Sequence, residues 1–249
     1  MYLRDTAIIL KSEPFREHDV RVTMYGARHG KLAAVARAGK RFGARALGHL
    51  EPFSEVEVMI AKGSSFDKLA VATLVRPRLM LRERLSTLAI AGAFVHLIDL
   101  LTHLEAGDIA IFHLLKETVD LAEASAEEPS SERSRLLLAG ASLKLLDVLG
   151  YAPQFDPSIH PLTLRVLRFL RARPLKEILG LTASLELFQS VSSTIEAALE
   201  HTPLSAEPHG VATVMALVGT SPNLVSTDLR HELRSNALTT EVSFVRRGI

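Results

Sequence analysis

The hydrophobic period of this chain changes once, near Pro77, and few folds accommodate both halves. Before that point apolar residues alternate. Val20–Tyr25 (VRVTMY) places Val20, Val22 and Met24 on one face and Arg21, Thr23 and Tyr25 on the other, the two-residue period of a half-buried strand. Thr6–Lys11 (TAIILK), Lys31–Arg37 (KLAAVAR), Glu55–Ile60 (EVEVMI) and Leu69–Val75 (LAVATLV) read as four more strands. Turn signals separate them: Ser12-Glu13-Pro14, Gly26 to Gly30, the stretch Ala34 to Phe53 with its three glycines, and Gly63-Ser64-Ser65. Five short strands with no helical pattern between them predict a small closed antiparallel barrel, which leaves no exposed sheet edge.

From Leu79 onward apolar residues recur at helical spacing. Leu81, Leu85, Leu88 and Ala89 begin one face, and the pattern runs to about Leu104. A second helix is expected over Ile109–Ala124. The acidic Ala124–Glu132 is a loop, and Ser130 or Ser131 can cap a third helix that runs to Leu149 and stops at Gly150. Tyr151–Pro161 holds three prolines and reads as irregular. Leu162–Ala172, a short piece after Pro174, and Leu185–His201 complete the helical pattern. The fold class is therefore α+β: a strand domain over residues 1–78, a helical domain over 79–202, and a loose extension over 203–249.

Several chemistries are hard to build from this composition. Cysteine is absent, which removes disulfides, thiolate zinc sites and thiol nucleophiles and fits a reducing compartment. The longest apolar window, Leu88–Leu101, contains His96 and Asp99 and is too short to span a bilayer. No secretory signal is visible at the start. A soluble, cytoplasmic protein without membrane contact is expected. "GARALGH", Gly43 to His49, has phosphate-loop glycine spacing but puts His49 and Leu50 where Lys and Ser/Thr belong. "GARHGK", Gly26 to Lys31, is one residue short and continues into Leu32. His96, Asp99 and His103 fall at i, i+3 and i+7 on one expected helix face; a polar stripe at a packing edge is the stronger reading over a metal site. Glu55 and Glu57 read as charges on the solvated face of a strand. No serine elbow or His-Glu-x-x-His pair occurs. Neither an enzyme, a cofactor nor a bound metal is expected.

Charge supplies the positive signal. Residues 1–80 hold 14 Lys/Arg and 8 Asp/Glu, a balance of +6, and the remaining 15 and 20 give residues 81–249 a balance of −5. Within the first half, Arg21, Arg28, Lys31, Arg37, Lys40, Arg41 and Arg45 follow one another with no acid among them. Such cations neutralise backbone phosphates, and single strands also need flat rings on which bases stack. Phe15, Tyr25, Phe42, Phe53 and Phe66 are spread through the same module; any one of them equally well fills a barrel, and Phe42, beside Arg41 in the basic stretch, is the aromatic singled out for stacking. A second basic feature is Arg165, Arg168 and Arg171 at three-residue spacing, with Val166, Leu167, Phe169 and Leu170 facing the other way. That stripe either receives an acidic partner segment or is a solvated helix face.

Four stretches in order carry a family resemblance: "TAIILKSEPFREHD" (Thr6–Asp19), "HGKLAAVARAGKR" (His29–Arg41), "LEPFSEVEV" (Leu50–Val58) and "LLDVLGYAPQFD" (Leu145–Asp156). Over about residues 1 to 200 the chain resembles bacterial RecO, the recombination mediator of the RecF pathway. The resemblance implies an N-terminal oligonucleotide-binding (OB) barrel, a helical C-terminal domain, and binding of single- and double-stranded DNA with annealing of complementary strands. It also implies RecR and the acidic tail of single-strand-binding protein as partners, RecA loading as the outcome, and the nucleoid as the place of work. Many members carry four zinc-binding cysteines after the Gly-Tyr-x-Pro element. Here "QFDPSIHP" stands there, so zinc is not carried over and the segment Phe155–Pro161 is expected to rest on packing alone. An RNA-binding barrel protein and a protein-interaction scaffold with a basic loop are the alternative readings.

Overall fold

The computed structural model describes residues 1–16, 19–37, 50–125, 131–155, 159–181, 184–200 and 202. Five strands come first: β1 (Tyr2–Phe15), β2 (Asp19–Gly26), β3 (Gly30–Arg37), β4 (Glu55–Ala61) and β5 (Lys68–Arg76). Seven helices follow among the described residues: α1 (Met80–Glu83), α2 (Leu85–Leu101), α3 (Ile109–Ala124), α4 (Ser131–Val148), α5 (Pro161–Ala172), α6 (Leu175–Ile178) and α7 (Leu185–Glu200). The class is α+β.

The sheet closes on itself in the order β1-β2-β3-β5-β4. β1 makes the closure possible by serving two neighbours. Its first half pairs with β4, from Tyr2↔Ala61 to Ile8↔Glu55, and its second half with β2, from Ala7↔Gly26 to Phe15↔Asp19. A register shift between Ile9 and Lys11 re-aims the strand between the two duties. Ser12-Glu13-Pro14 therefore lies within β1 rather than in a turn. Beyond Ile8 the strand pairs in register only with β2, an edge position that tolerates proline. The last join, β3 to β5, is parallel and rests on Val35↔Lys68.

Alternation then builds the core. Ala7, Ile9, Val22, Met24, Leu32, Ala34, Val56, Val58 and Ile60 point inward, and Leu50 plugs the same cluster. Each large aliphatic side chain there contributes roughly 1.5–3 kcal/mol by leaving water. Leu50 is fixed by a hydrogen bond from the Ser12 hydroxyl to its carbonyl. Phe53 takes a left-handed φ of 71°, donates its N–H to the Ile9 carbonyl at 2.8 Å and is buried.

Two expectations about strand faces fail for identifiable reasons. Thr23 and Tyr25 point away from the core cluster yet are buried. The segment His103–Ile109 clusters with residues 1–78 and covers that side: the Tyr25 hydroxyl and the Asp108 backbone N–H and carbonyl lie within 3.3 Å of each other. Burial raises the Tyr25 pKa above its ordinary 10.0, so the phenol stays neutral. Glu55, expected on a solvated face, is buried as well. Its Oε2 lies 3.6 Å from Nη2 of the fully buried Arg78, while Glu57 is exposed.

The second unit takes Leu79–Thr102 and the described residues from Ala110 onward. Its centre is α4. Leu136, Leu137, Leu138, Ala139, Ala141, Leu143, Leu145 and Leu146 are all buried, and a helix apolar all round is one surrounded by others. α2, α5, α6 and α7 pack against it. Gly140 allows close approach of α6, because a Cβ there would press on the Ile178 side chain. α4 ends in a Schellman turn: Gly150 has φ 82°, its N–H reaches the Asp147 carbonyl at 3.1 Å, and the Tyr151 N–H reaches Leu146 at 2.8 Å.

Candidate nucleic-acid interface

Of the seven cations that run together in the sequence, the four among the described residues do not stay together. β2 and β3 form a hairpin in register from Asp19↔Arg37 to Gly26↔Gly30. Paired residues share a sheet face and alternate residues repeat it. Arg21, paired with Val35, and Arg37, paired with Asp19, are thus diagonal neighbours about 7–8 Å apart on the outer face. Both are exposed. Lys31, paired with Tyr25, sits four residues along the hairpin from Arg21, or about 13 Å, and Arg28 lies in the turn beyond the end of β2. Arg28 is exposed and Lys31 half-buried. Lys40, Arg41, Phe42 and Arg45, expected to grip phosphates and stack a base, lie outside the described residues.

The turn end is stiff. The Asp5 carboxylate is buried and accepts from the backbone N–H groups of Arg28 at 3.2 Å and His29 at 3.0 Å. The His29 Nδ1 lies 2.9 Å from the same carboxylate. Gly30 has φ 67° and abuts the Ala106 carbonyl so closely that a Cβ would collide with it. The Lys31 carbonyl accepts the Glu105 N–H at 2.8 Å. Gly26–Lys31 is a hairpin turn entering a strand, not a glycine loop entering a helix, so it lacks the geometry of a nucleotide phosphate loop.

The other end carries more. Phe15 closes β1, and Phe66 lies in the β4–β5 turn; their ring centroids are 5.8 Å apart at an interplanar angle of 69°. The Arg16 guanidinium sits 5.3 Å from the Phe15 centroid and 5.4 Å from that of Phe66. Arg21 covers Phe15 at 5.4 Å. Lys68, beside Val35 across the β3–β5 join, is exposed. Arg16 and Arg21 thus lie over two half-buried aromatics, and Arg37 and Lys68 are neighbours of Arg21 and Val35 by strand register. The sequence reading missed Arg16 and Lys68, because Arg16 falls among Glu13, Glu17 and Asp19 and Lys68 follows Asp67. The signal was present in "PFREHD", where an aromatic and a cation meet at a strand end. Of the five aromatics considered, Tyr25 and Phe53 are buried, and Phe15 and Phe66 are at the surface.

In the helical unit Arg165 and Arg168 are exposed on α5. Arg171 is not a third member of their stripe. Its Nε donates to Asp147 Oδ2 at 2.8 Å, its Nη1 approaches the Pro153 carbonyl at 3.5 Å, and its guanidinium faces the Phe155 ring at 5.9 Å. Lys144 donates to the Arg171 carbonyl at 2.9 Å, and burial lowers the Lys144 pKa from its ordinary value. Arg171 therefore holds the start of the segment after the Schellman turn, at Pro153 and Phe155, while residues 156–158 of the stretch expected to rest on packing lie outside the described residues. His96, Asp99 and His103 are not on one helix face either: α2 ends at Leu101, and His103 belongs with the strands. Among the described residues no group of three or more His, Asp or Glu could hold a metal ion, and no helix is long and apolar enough to cross a membrane.

Comparison with known proteins adds a family to this geometry. Residues 1–78 match the family model for the N terminal of recombination protein O, and residues 82–160 match that for its C terminal. The chain is 30% identical over 156 residues to the DNA repair protein RecO of Geobacter sulfurreducens, covering 62% of this chain and 61% of that one. It is 30% identical over 153 residues to that of Rubrobacter xylanophilus (61% and 59%) and 25% over 154 residues to that of Pelotomaculum thermopropionicum (62% and 57%). The chain thus spans about three fifths of the length of the curated relatives it matches. The two matched segments take in the whole barrel, the cations at both ends of its β2–β3 hairpin and the helices as far as His160, and on them the chain belongs to the RecO family.

Proposed function

We propose that this chain is a non-enzymatic, DNA-binding mediator of recombinational repair; the relatives it resembles bear the name DNA repair protein RecO. The observation that carries the reading is the gathering of Arg16, Arg21, Arg37 and Lys68 at one end of the barrel. We read that unit as an oligonucleotide-binding fold, because its five strands close in the order β1-β2-β3-β5-β4 after a bulged first strand. The cations hold backbone phosphates of single- and double-stranded DNA, and Arg28 and Lys31 extend the track to the hairpin turn. Phosphate repulsion opposes pairing of two strands, so a surface that neutralises it promotes annealing without a nucleotide. Lys40, Arg41 and Arg45, which follow β3 in the sequence, are proposed to hold phosphates as well. In the helical unit Arg165 and Arg168 offer charge to the acidic tail of single-strand-binding protein. With RecR as the second partner, the complex loads RecA at the nucleoid.

The reading is tested by titrating labelled single-stranded and duplex DNA and a matching RNA with the purified chain across a salt series. Tight binding of DNA that weakens linearly with log salt is expected, together with annealing of complementary strands in the absence of ATP. Preference for RNA, or annealing that requires ATP, overturns it.

A further inference from the structure

We propose that Phe15 and Phe66, flanked by Arg16 and Arg21, form a stacking site for one unpaired nucleobase, so that the barrel end selects single strands over duplex. The inference rests on the nucleic-acid reading above and assigns the residues that make it strand-selective.

The two rings are 51 positions apart in sequence and meet only because the barrel closes. They stand edge to face, neither is fully buried, and neither belongs to the apolar cluster inside the barrel. A half-buried aromatic pair with guanidiniums over its rings, outside the apolar cluster, does little for the core. A base stacks there by taking the place of a guanidinium over a Phe ring, and the displaced cation turns to the adjoining phosphate.

The Phe66 side of the site is already built. In the β4–β5 turn the Asp67 side chain accepts the Gly63 N–H at 3.1 Å and an Nζ–H of Lys62 at 2.9 Å, and the Asp67 carbonyl accepts the Val35 N–H at 2.8 Å. Lys62 also bonds to Glu105. A Cβ at Gly63 would collide with the Phe66 carbonyl, so the chain folds tightly back against Phe66. On the facing side Arg16 takes a left-handed φ of 58°, and its guanidinium covers both rings. In a duplex both faces of each base are already stacked, so only an unpaired base can enter. Phosphate contacts by Arg21 and Arg37 make no such distinction.

The test is Phe66→Ala in the full chain, followed by fluorescence anisotropy with an oligothymidylate strand and with a blunt duplex of equal length, over a salt series. Loss of one stacked base weakens single-strand binding by about 5- to 100-fold. The log–log salt slope stays unchanged, duplex binding moves less than about twofold, and Phe66→Trp restores affinity. Single-strand binding equal to wild type, or an equal loss on both DNAs, overturns the proposal alone. Failure of the wild-type chain to bind either DNA overturns the nucleic-acid reading with it. If Phe66→Ala does not fold, the wild-type chain on a wholly abasic strand decides. Weakening by a similar factor supports the site, and equal binding overturns it.

Discussion

Removing Arg21 and Arg37 together isolates the phosphate contacts proposed for one end of the barrel. The two are diagonal neighbours on the outer face of the hairpin, close enough to hold successive phosphates of one strand. Each single-strand phosphate contact contributes about 0.7 to the slope of log affinity against log salt. Arg21→Ala/Arg37→Ala should flatten that slope by about 1.4. At 0.1 M salt each contact is then about a fivefold effect, so the pair costs about 25-fold, and that electrostatic difference vanishes by extrapolation to 1 M. The turn end, with Lys31 about 13 Å along the hairpin and Arg28 beyond it, serves as the ruler. If one strand runs the length of the hairpin, Arg28→Ala/Lys31→Ala flattens the slope by a similar amount, and the quadruple variant by about 2.8. Arg21 has a second duty over the Phe15 ring, so Arg21→Ala adds a salt-independent loss. Arg21→Lys separates the two, because it keeps the charge while losing the planar stack. Anisotropy titrations from about 0.05 to 0.5 M salt supply the slopes. An unchanged slope in the Arg21→Ala/Arg37→Ala variant would refute the assignment of these residues to phosphates.

Two further outcomes test the scaffold. Gly30→Ala forces an L side chain into φ 67° against the Ala106 carbonyl and should destabilise the strand unit by about 2–5 kcal/mol; a urea midpoint equivalent to less than about 1 kcal/mol counts against the tight packing of residues 103–109 on the hairpin turn. Arg171→Ala removes a half-exposed ion pair to Asp147 and should cost about 1 kcal/mol, a fall in melting temperature of about 2–4 °C, whereas Arg165→Ala/Arg168→Ala should leave melting unmoved and weaken binding of an acidic peptide; the reverse pattern would return Arg171 to the partner surface.

The barrel strands were legible because period-two alternation is a local property that pairing preserves. Val22 and Met24 needed only their own neighbours to be read as core. What misled were residues whose surroundings come from elsewhere in the chain. Glu55 alternates like a surface charge, yet Arg78 lies against it from beyond β5. Tyr25 shares the outward face with Arg21, yet Asp108 reaches it from the segment after α2. His103 keeps helical spacing with His96, but the helix has ended by Leu101. Arg171 keeps the spacing of Arg165 and Arg168, but Asp147 is within its reach at the end of α4. In each case a pattern is correct about direction along the chain and silent about what covers that direction.

The site was legible in composition and illegible in arrangement, and the reason is the geometry of a hairpin. An acid-free run from Arg21 to Arg45 looks like one patch because sequence distance is short. The five steps of β2 from Arg21 to Gly26 span about 17 Å, so Arg28, in the turn beyond them, is carried away from Arg21. The return strand then brings back Arg37, sixteen positions on, to Arg21's side. Closure of the barrel adds Phe66 and Lys68, which no reading of the basic run could include. The density of cations therefore points to the module proposed to meet a polyanion, while strand pairing decides which of them lie together. In the proposed site they are the cations beside Phe15 and Phe66, where a strand with unpaired bases would gain a contact that a duplex cannot make.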